Sequence, residues 1–199
     1  MCGIAGIADR GGIGPEDRRL IDAMLLSLAH RGPDDHAVHA ESGAVLGARR
    51  LSIIDIARGR QPVTNEDGTI IAVQNGELYN FVELREQLLA RGHTLRSDGD
   101  TETIVHLYED YGDRLVDHLR GMYALAVWDA RRGHLLLARD RLGKKPLYWR
   151  SHDGRLTFGS ELKALLADPG LATDVDEHAL ASFLAYQYVP APASILRGV

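Results

Sequence analysis

Cysteine is almost absent from this sequence: Cys2 is the single one in 199 residues. One cysteine cannot close an intramolecular disulfide, which excludes the stapled secreted scaffolds, and it leaves no Cys-based zinc site. A basic excess is lacking too, with 23 Lys+Arg against 28 Asp+Glu and a formal net charge of −5. That balance supplies no electrostatic reason to bind nucleic acid or an anionic membrane. No apolar run approaches the roughly 20 residues of a membrane span, or the basic flank and about 7–15 apolar residues of a signal peptide. The opening Met1-Cys2-Gly3-Ile4-Ala5-Gly6-Ile7 meets Asp9 and Arg10 within a few residues. A soluble cytoplasmic protein with neither a nucleic-acid nor a membrane partner is the expectation. Internal repeats and low-complexity tracts are missing as well.

What is there suits a globular domain. Hydrophobic residues make up 45% of the chain, enough for a real core within one domain. Short strands are expected at residues 2–8, 44–48, 51–56 and 69–73, the last bounded by the turn pairs Asp67-Gly68 and Asn75-Gly76. Helices are expected from Glu16, over 81–90 with Gly92 as its C-cap, and over 101–111 with Asp100 as its N-cap. Two hairpins follow, 123–128 with 135–139 and 147–150 with 156–158, and helices at 161–166 and 177–186 close the chain. Hairpins interleaved with helices predict an α+β fold whose sheets are mainly antiparallel, not a doubly wound one. Val189-Pro190-Ala191-Pro192-Ala193 reads as a linker. The expected organisation is therefore one domain over 1–188, with 189–199 starting a linker toward a further domain.

The position of the cysteine carries chemistry. Removal of Met1 would leave the Cys2 thiol and its own α-amino group on one residue. An α-amine titrates at about 7.7–8.0, so it can serve as a base near neutral pH. A thiol is an intrinsically strong nucleophile, and an N-terminal amine is an established activator of such groups. The bland alternative is a small buried hydrophobe at the start of a strand.

Further motifs decide between the two. Cys2-Gly3-Ile4-Ala5-Gly6, His30-Arg31-Gly32-Pro33-Asp34, Arg50-Leu51-Ser52-Ile53, Asn75-Gly76-Glu77-Leu78-Tyr79-Asn80 and Ser97-Asp98-Gly99-Asp100-Thr101-Glu102 occur in that order. Together they resemble the class II glutamine amidotransferases, N-terminal-nucleophile hydrolases whose mature chain begins with the catalytic cysteine. The likeness continues through Arg139-Asp140-Arg141-Leu142-Gly143, Lys145-Pro146-Leu147-Tyr148 and Ser160-Glu161-Leu162-Lys163. His30–Asp34, and Arg50–Asp55 followed by Gln61-Pro62, resemble in particular the glutaminase domain of glutamine-hydrolysing asparagine synthetases. Leu78, Tyr123 and Leu125 depart from that pattern as core-type exchanges only.

The resemblance implies a four-layer αββα sandwich and hydrolysis of L-glutamine to glutamate and ammonia through a thioester on Cys2. It implies that Asn75 and Gly76 supply the oxyanion donors, and that Arg50 pairs with the α-carboxylate of glutamine. Asp100 and Glu77 would accept from its α-ammonium, with further backbone contacts near Leu51 and Ile53. The domain itself would need no metal or organic cofactor. A C-terminal synthetase domain, with ATP and magnesium, would use the ammonia to amidate aspartate, and a homodimer is compatible. Two other readings stay open: a domain serving another carboxylate acceptor, and a module that binds glutamine without turning it over.

Other groupings attract less. His30, His36 and His39 match no standard zinc spacing, so no metal site is assigned. Lys144 and Lys145 follow Gly143 without a Walker-type glycine pattern and read as a solvated turn. Asp34 and Asp35, as neighbours on a loop, are not expected to face each other as an acid pair.

Overall fold

Successive side chains of a strand point to opposite faces, and here that alternation sorts the apolar residues into three separate layers. The computed structural model describes residues 2–199. In chain order the elements are β1 (Gly3–Asp9), α1 (Pro15–Ser27), β2 (Asp35–Ala40), β3 (Ala44–Arg50), β4 (Val63–Thr64) and β5 (Ile70–Leu78). They continue with α2 (Phe81–Ala90), α3 (Glu102–Tyr111), a 3-10 turn (Gly112–His118), β6 (Gly121–Asp129) and β7 (His134–Arg139). β8 (Tyr148–His152), β9 (Arg155–Gly159), α4 (Leu162–Leu165) and α5 (Glu177–Tyr186) complete the chain.

The strands form two sheets, ordered β2-β3-β1-β9-β8 and β4-β5-β6-β7. Every pairing within them is antiparallel. Ile4, Leu46, Ile71, Val73, Ala124, Ala126, Trp128 and Phe158 fill the space between the sheets. Ile21, Met24, Leu25, Leu28 and Leu165 of α1 and α4 cover the outer face of the first sheet, against Ala5, Ile7 and Val45. Leu84, Leu88, Ile104, Leu107 and Tyr108 of α2 and α3 cover the second, against Ala72, Leu125 and Val127. The result is a four-layer αββα sandwich.

Local signals account for most ends. Asp17 accepts the Gly14 amide at 2.7 Å, with Pro15 opening α1. Asp176 caps α5 through the Ala179 amide at 2.9 Å. Beyond the short β4 and the 3-10 turn, which were not expected, four features differ from the sequence expectation. β2 was not expected; its Asp and His residues disfavour strands, but it lies at the sheet edge, where only one side needs pairing. Residues 51–56 form a loop, because the Arg50 guanidinium gathers its carbonyls before any strand partner does. β5 runs on through Asn75-Gly76, pairing them with Ala124 and Tyr123, where a turn was expected. Asp100 does not cap α3; Thr101 occupies that position and the Asp100 carboxylate points to β5.

Candidate active site

The inner columns of the sandwich end in polar residues. On β1 the inward position beyond Ile4 is Cys2, and on β3 Ala44, Leu46 and Ala48 lead to Arg50. On β5 Ile71 and Val73 lead to Asn75, and on β6 Ala126 and Ala124 lead to Met122. These positions open into a cleft of about 130 Å³. Cys2, Arg50, Leu51, Ile53, Asn75, Gly76, Glu77 and Asp100 all line it. Residues scattered over a hundred positions thus converge at the mouth of the inter-sheet layer, where period-two patterning carries them.

The cysteine end is held from several directions. The Ile4 amide donates to Ser160 Oγ at 2.9 Å, fixing the start of β1. Arg31 Nε donates to the Cys2 carbonyl at 3.0 Å, and Arg31 Nη1 to Glu161 Oε1 at 2.7 Å. His30 Nε2 and Lys163 Nζ lie 3.0 and 3.1 Å from the same carboxylate. Burial pushes Glu161 up, but its hydrogen bonds from Arg31, Lys163 and His30 outweigh that and hold it at about 2. The Cys2 thiol lies 3.8 Å from the Leu51 carbonyl, to which it can donate. A carboxyl lowered on folding stabilises the fold above its unfolded value of about 4.3 and loses that contribution as pH falls toward 2. Glu161→Gln is therefore expected to cost about 1–3 kcal/mol at pH 7. The deficit should shrink as pH falls from about 4.5 to 2, measured by denaturant unfolding at each pH.

The wall opposite is the 51–56 loop. Arg50 is buried, and its Nη atoms donate to the carbonyls of Ile54 at 2.9 Å, Asp55 at 2.7 Å and Ile56 at 3.2 Å. These partners are neutral carbonyls, no salt bridge to Arg50 forms among the described residues, and its charge is felt by the Asp55 carboxylate, which the Asp98 amide lowers most and Arg50 helps to lower. Asp34 Oδ2 accepts the Ser52 amide at 2.8 Å and the Asp34 amide donates to the Arg50 carbonyl at 3.1 Å. A Cβ on Gly32 would sit 2.3 Å from the Arg49 carbonyl carbon, so glycine is what lets that loop approach β3. The His30–Asp34 motif is thereby explained as a clamp on both the cysteine and the Arg50 loop.

The floor holds an anomaly. Both polar atoms of the Asn75 side chain are buried without a hydrogen-bond partner. Such orphaned groups cost free energy and call for an explanation. Beside it, Gly76 has φ +153°, and a Cβ there would fall 2.0 Å from the Met122 carbonyl oxygen. Only glycine fits.

Asp100 Oδ2 accepts from Gln74 Nε2 at 3.1 Å and from the Leu78 amide at 3.0 Å, while burial pushes its carboxyl up. Glu77 is half-buried at the same edge.

Sequence reasoning missed several supporting residues. Gln61 Oε1 accepts the Gln74 amide at 2.7 Å and Gln61 Nε2 donates to Thr101 Oγ1 at 3.2 Å, tying β5 to the start of α3. Burial pushes Glu102 up, but His106, the Ser97 hydroxyl and the amides of Arg96 at 2.8 Å and Ser97 at 2.7 Å outweigh it and hold it at about 2. Lys144 is exposed as expected, but Lys145 is buried and lines the cleft, so only half of that turn is solvated. Asp140 folds it inward by accepting the amides of both lysines and of Tyr123. The sequence signals for them are the motifs that contain them, Gln61-Pro62, Ser97–Glu102, Arg139–Gly143 and Lys145-Pro146, which name the residues without their roles. His30, His36 and His39 do not converge: His30 faces Glu161, His39 faces Glu41, and His36 is exposed.

A family described as a glutamine amidotransferase domain matches residues 1–199. Asparagine synthetase [glutamine-hydrolyzing] 3 of Bacillus subtilis (strain 168) is 42% identical over 182 residues, covering 90% of this chain and 30% of that protein. Asparagine synthetase [glutamine-hydrolyzing] 1 of the same organism is 36% identical, covering 98% and 31%. A putative asparagine synthetase [glutamine-hydrolyzing] of Mycobacterium tuberculosis (strain ATCC 25618 / H37Rv) is 39% identical, covering 100% and 33%. The chain thus spans about a third of the length of the curated relatives it matches. Among solved structures, glutamine phosphoribosylpyrophosphate amidotransferase of B. subtilis superposes with a TM-score of 0.66 at 21% identity, over 83% of this chain and 43% of that one. That likeness shows the shared fold, a four-layer αββα sandwich. No helix of the described residues is long and apolar enough to cross a membrane. By its match over the whole length and by these relatives, the chain belongs to the glutamine amidotransferase domain family.

Proposed function

We propose that this chain hydrolyses L-glutamine to glutamate and ammonia through a γ-glutamyl thioester on Cys2. The observation that carries the reading is the unpaired, fully buried Asn75 amide beside Gly76, in one cleft with the only thiol. A donor kept without a partner is preorganised for charge that appears only during reaction.

The Cys2 sulfur attacks the side-chain carbonyl carbon of glutamine, and its proton passes to the α-amine of Cys2. That step needs Met1 removed; Met1 lies outside the described residues. The tetrahedral oxyanion is met by Asn75 Nδ2–H and the Gly76 N–H. The amine returns the proton to nitrogen, the C–N bond breaks and ammonia leaves. Water then adds to the thioester, the C–S bond breaks, and glutamate and the free thiol are restored.

Arg50 binds the α-carboxylate by its charge and the N–H groups that the 51–56 loop leaves free, and Asp100 with Glu77 accepts from the α-ammonium. Backbone groups at Leu51 and Ile53 complete the amino-acid end. In the longer protein, ammonia passes to a C-terminal domain that uses ATP and magnesium to amidate aspartate. The exposed Leu180, Phe183, Leu184, Tyr186 and Tyr188 around the end of α5 give an apolar surface suited to such a domain.

Equimolar glutamate and ammonia from L-glutamine test the reaction. Saturable glutamine binding without product would instead favour the regulatory module. Arg50→Lys keeps the charge and loses the fork; kcat/KM should fall about 10–100-fold, mostly through KM, in steady-state glutaminase assays.

A further inference from the structure

Four side chains converge on the far side of α3. His106 and Glu109 lie one turn apart on that helix, Glu66 comes from the turn before β5, and His93 from the connection between α2 and α3. One ligating atom from each lies within 4.8 Å of all the others. His106 Nδ1 is 3.1 Å from Glu109 Oε2 and 3.3 Å from Glu66 Oε2. His93 Nδ1 is 3.5 Å from Glu109 Oε2 and 3.8 Å from Glu66 Oε1. A tetrahedron with bonds of 2.0–2.1 Å has edges of about 3.3–3.4 Å; three of these spacings lie close to that edge, and the fourth, measured to the other Glu66 oxygen, is longer.

The groups behind the four are as informative. His93 Nε2 faces Asp110 Oδ1 at 3.2 Å, which directs its Nδ1 toward the others, while His106 Nε2 is buried without a hydrogen bond, 4.0 Å from Glu102 Oε1. Glu66 Oε1 accepts the Thr94 amide at 2.9 Å, and Glu109 Oε1 accepts from Asn65 Nδ2 at 2.9 Å. Three of the four ligands thus have a hydrogen-bonded orienting partner, as metal-binding imidazoles and carboxylates do. Two neutral imidazoles and two carboxylates balance a divalent charge, and the nitrogen share favours zinc-like ions over calcium or magnesium.

We propose that Glu66, His93, His106 and Glu109 form a binding site for a divalent transition cation of the zinc class. The cation joins the β4–β5 turn, the α2–α3 connection and α3. Through His106 and Glu102 it backs the amides of Arg96 and Ser97, and Ser97 lines the glutamine cleft. Its role is structural: it stiffens one wall of the cleft from outside.

The test uses metal-stripped protein carrying Cys2→Ala, so that the thiol cannot bind. Titration calorimetry with Zn²⁺ should give one equivalent, and Co²⁺ should give the intense visible bands of tetrahedral coordination. His93→Gln and Glu109→Gln should each weaken binding by more than about 100-fold, with circular dichroism checking that both variants fold. Absence of stoichiometric binding, octahedral Co²⁺ bands, or equal affinity in both folded variants would overturn the site and leave a network of ion pairs bridged by protonated histidines.

Discussion

Replacing Cys2 by Ala should abolish ammonia release from glutamine while leaving glutamine binding intact. The thiol is the only one in the chain and sits where the inward column of β1 reaches the cleft. No second side chain of comparable nucleophilicity lines that cleft, so loss of the sulfur removes the covalent route altogether. Knocking out an enzyme nucleophile costs on the order of 10⁶ in kcat. Binding, by contrast, is proposed to rest on Arg50, Asp100 and the 51–56 loop, whose hydrogen bond with Cys2 is the one from its thiol to the Leu51 carbonyl. Glutamine affinity by calorimetry should therefore change by only a few fold. Retained turnover in the Ala variant would place the chemistry elsewhere.

Asn75→Ala should lower kcat by about 10²–10³ with little change in KM, because an oxyanion donor acts on the transition state and not on bound substrate. Its effect on stability should have the opposite sign. The Asn75 amide is buried with neither polar atom paired, and an unsatisfied buried group costs about 1–3 kcal/mol. Alanine removes that cost, so thermal unfolding of the variant should occur at the same temperature or higher. A structural asparagine would behave the other way, losing stability with a modest effect on rate. Gly76 cannot be read as cleanly, since any Cβ there meets the Met122 backbone and disturbs β5 itself.

Much of this was legible from the sequence, for reasons that differ by region. α2 and α5 have self-contained patterns, so their limits coincide with the expected 81–90 and 177–186. The hairpins at Asp129–Gly133 and Asp153-Gly154 follow from their turn residues. The class of chemistry came from ordered motifs, not from periodicity. What stayed hidden depends on contacts across the fold. Residues 51–56 alternate like a strand, but a buried guanidinium claims their carbonyls. Asn75-Gly76 has turn chemistry, yet the neighbouring β6 backbone holds it in the sheet. Lys145 looks like half of a solvated pair until Asp140 turns it inward. Glu66, His93, His106 and Glu109 carry no recognisable spacing, because turns and helix packing, not a local motif, bring them together.

The central claim is that Cys2 attacks glutamine with its own amine as base. Labelling with an electrophilic chloroketone analogue of glutamine, followed by mass spectrometry of the N-terminal peptide, tests it most directly. The expected result is one equivalent of label on Cys2 as the first residue of the chain, prevented by excess glutamine. Label on any other side chain, or on Cys2 in protein that keeps Met1 and reacts at an undiminished rate, would contradict it.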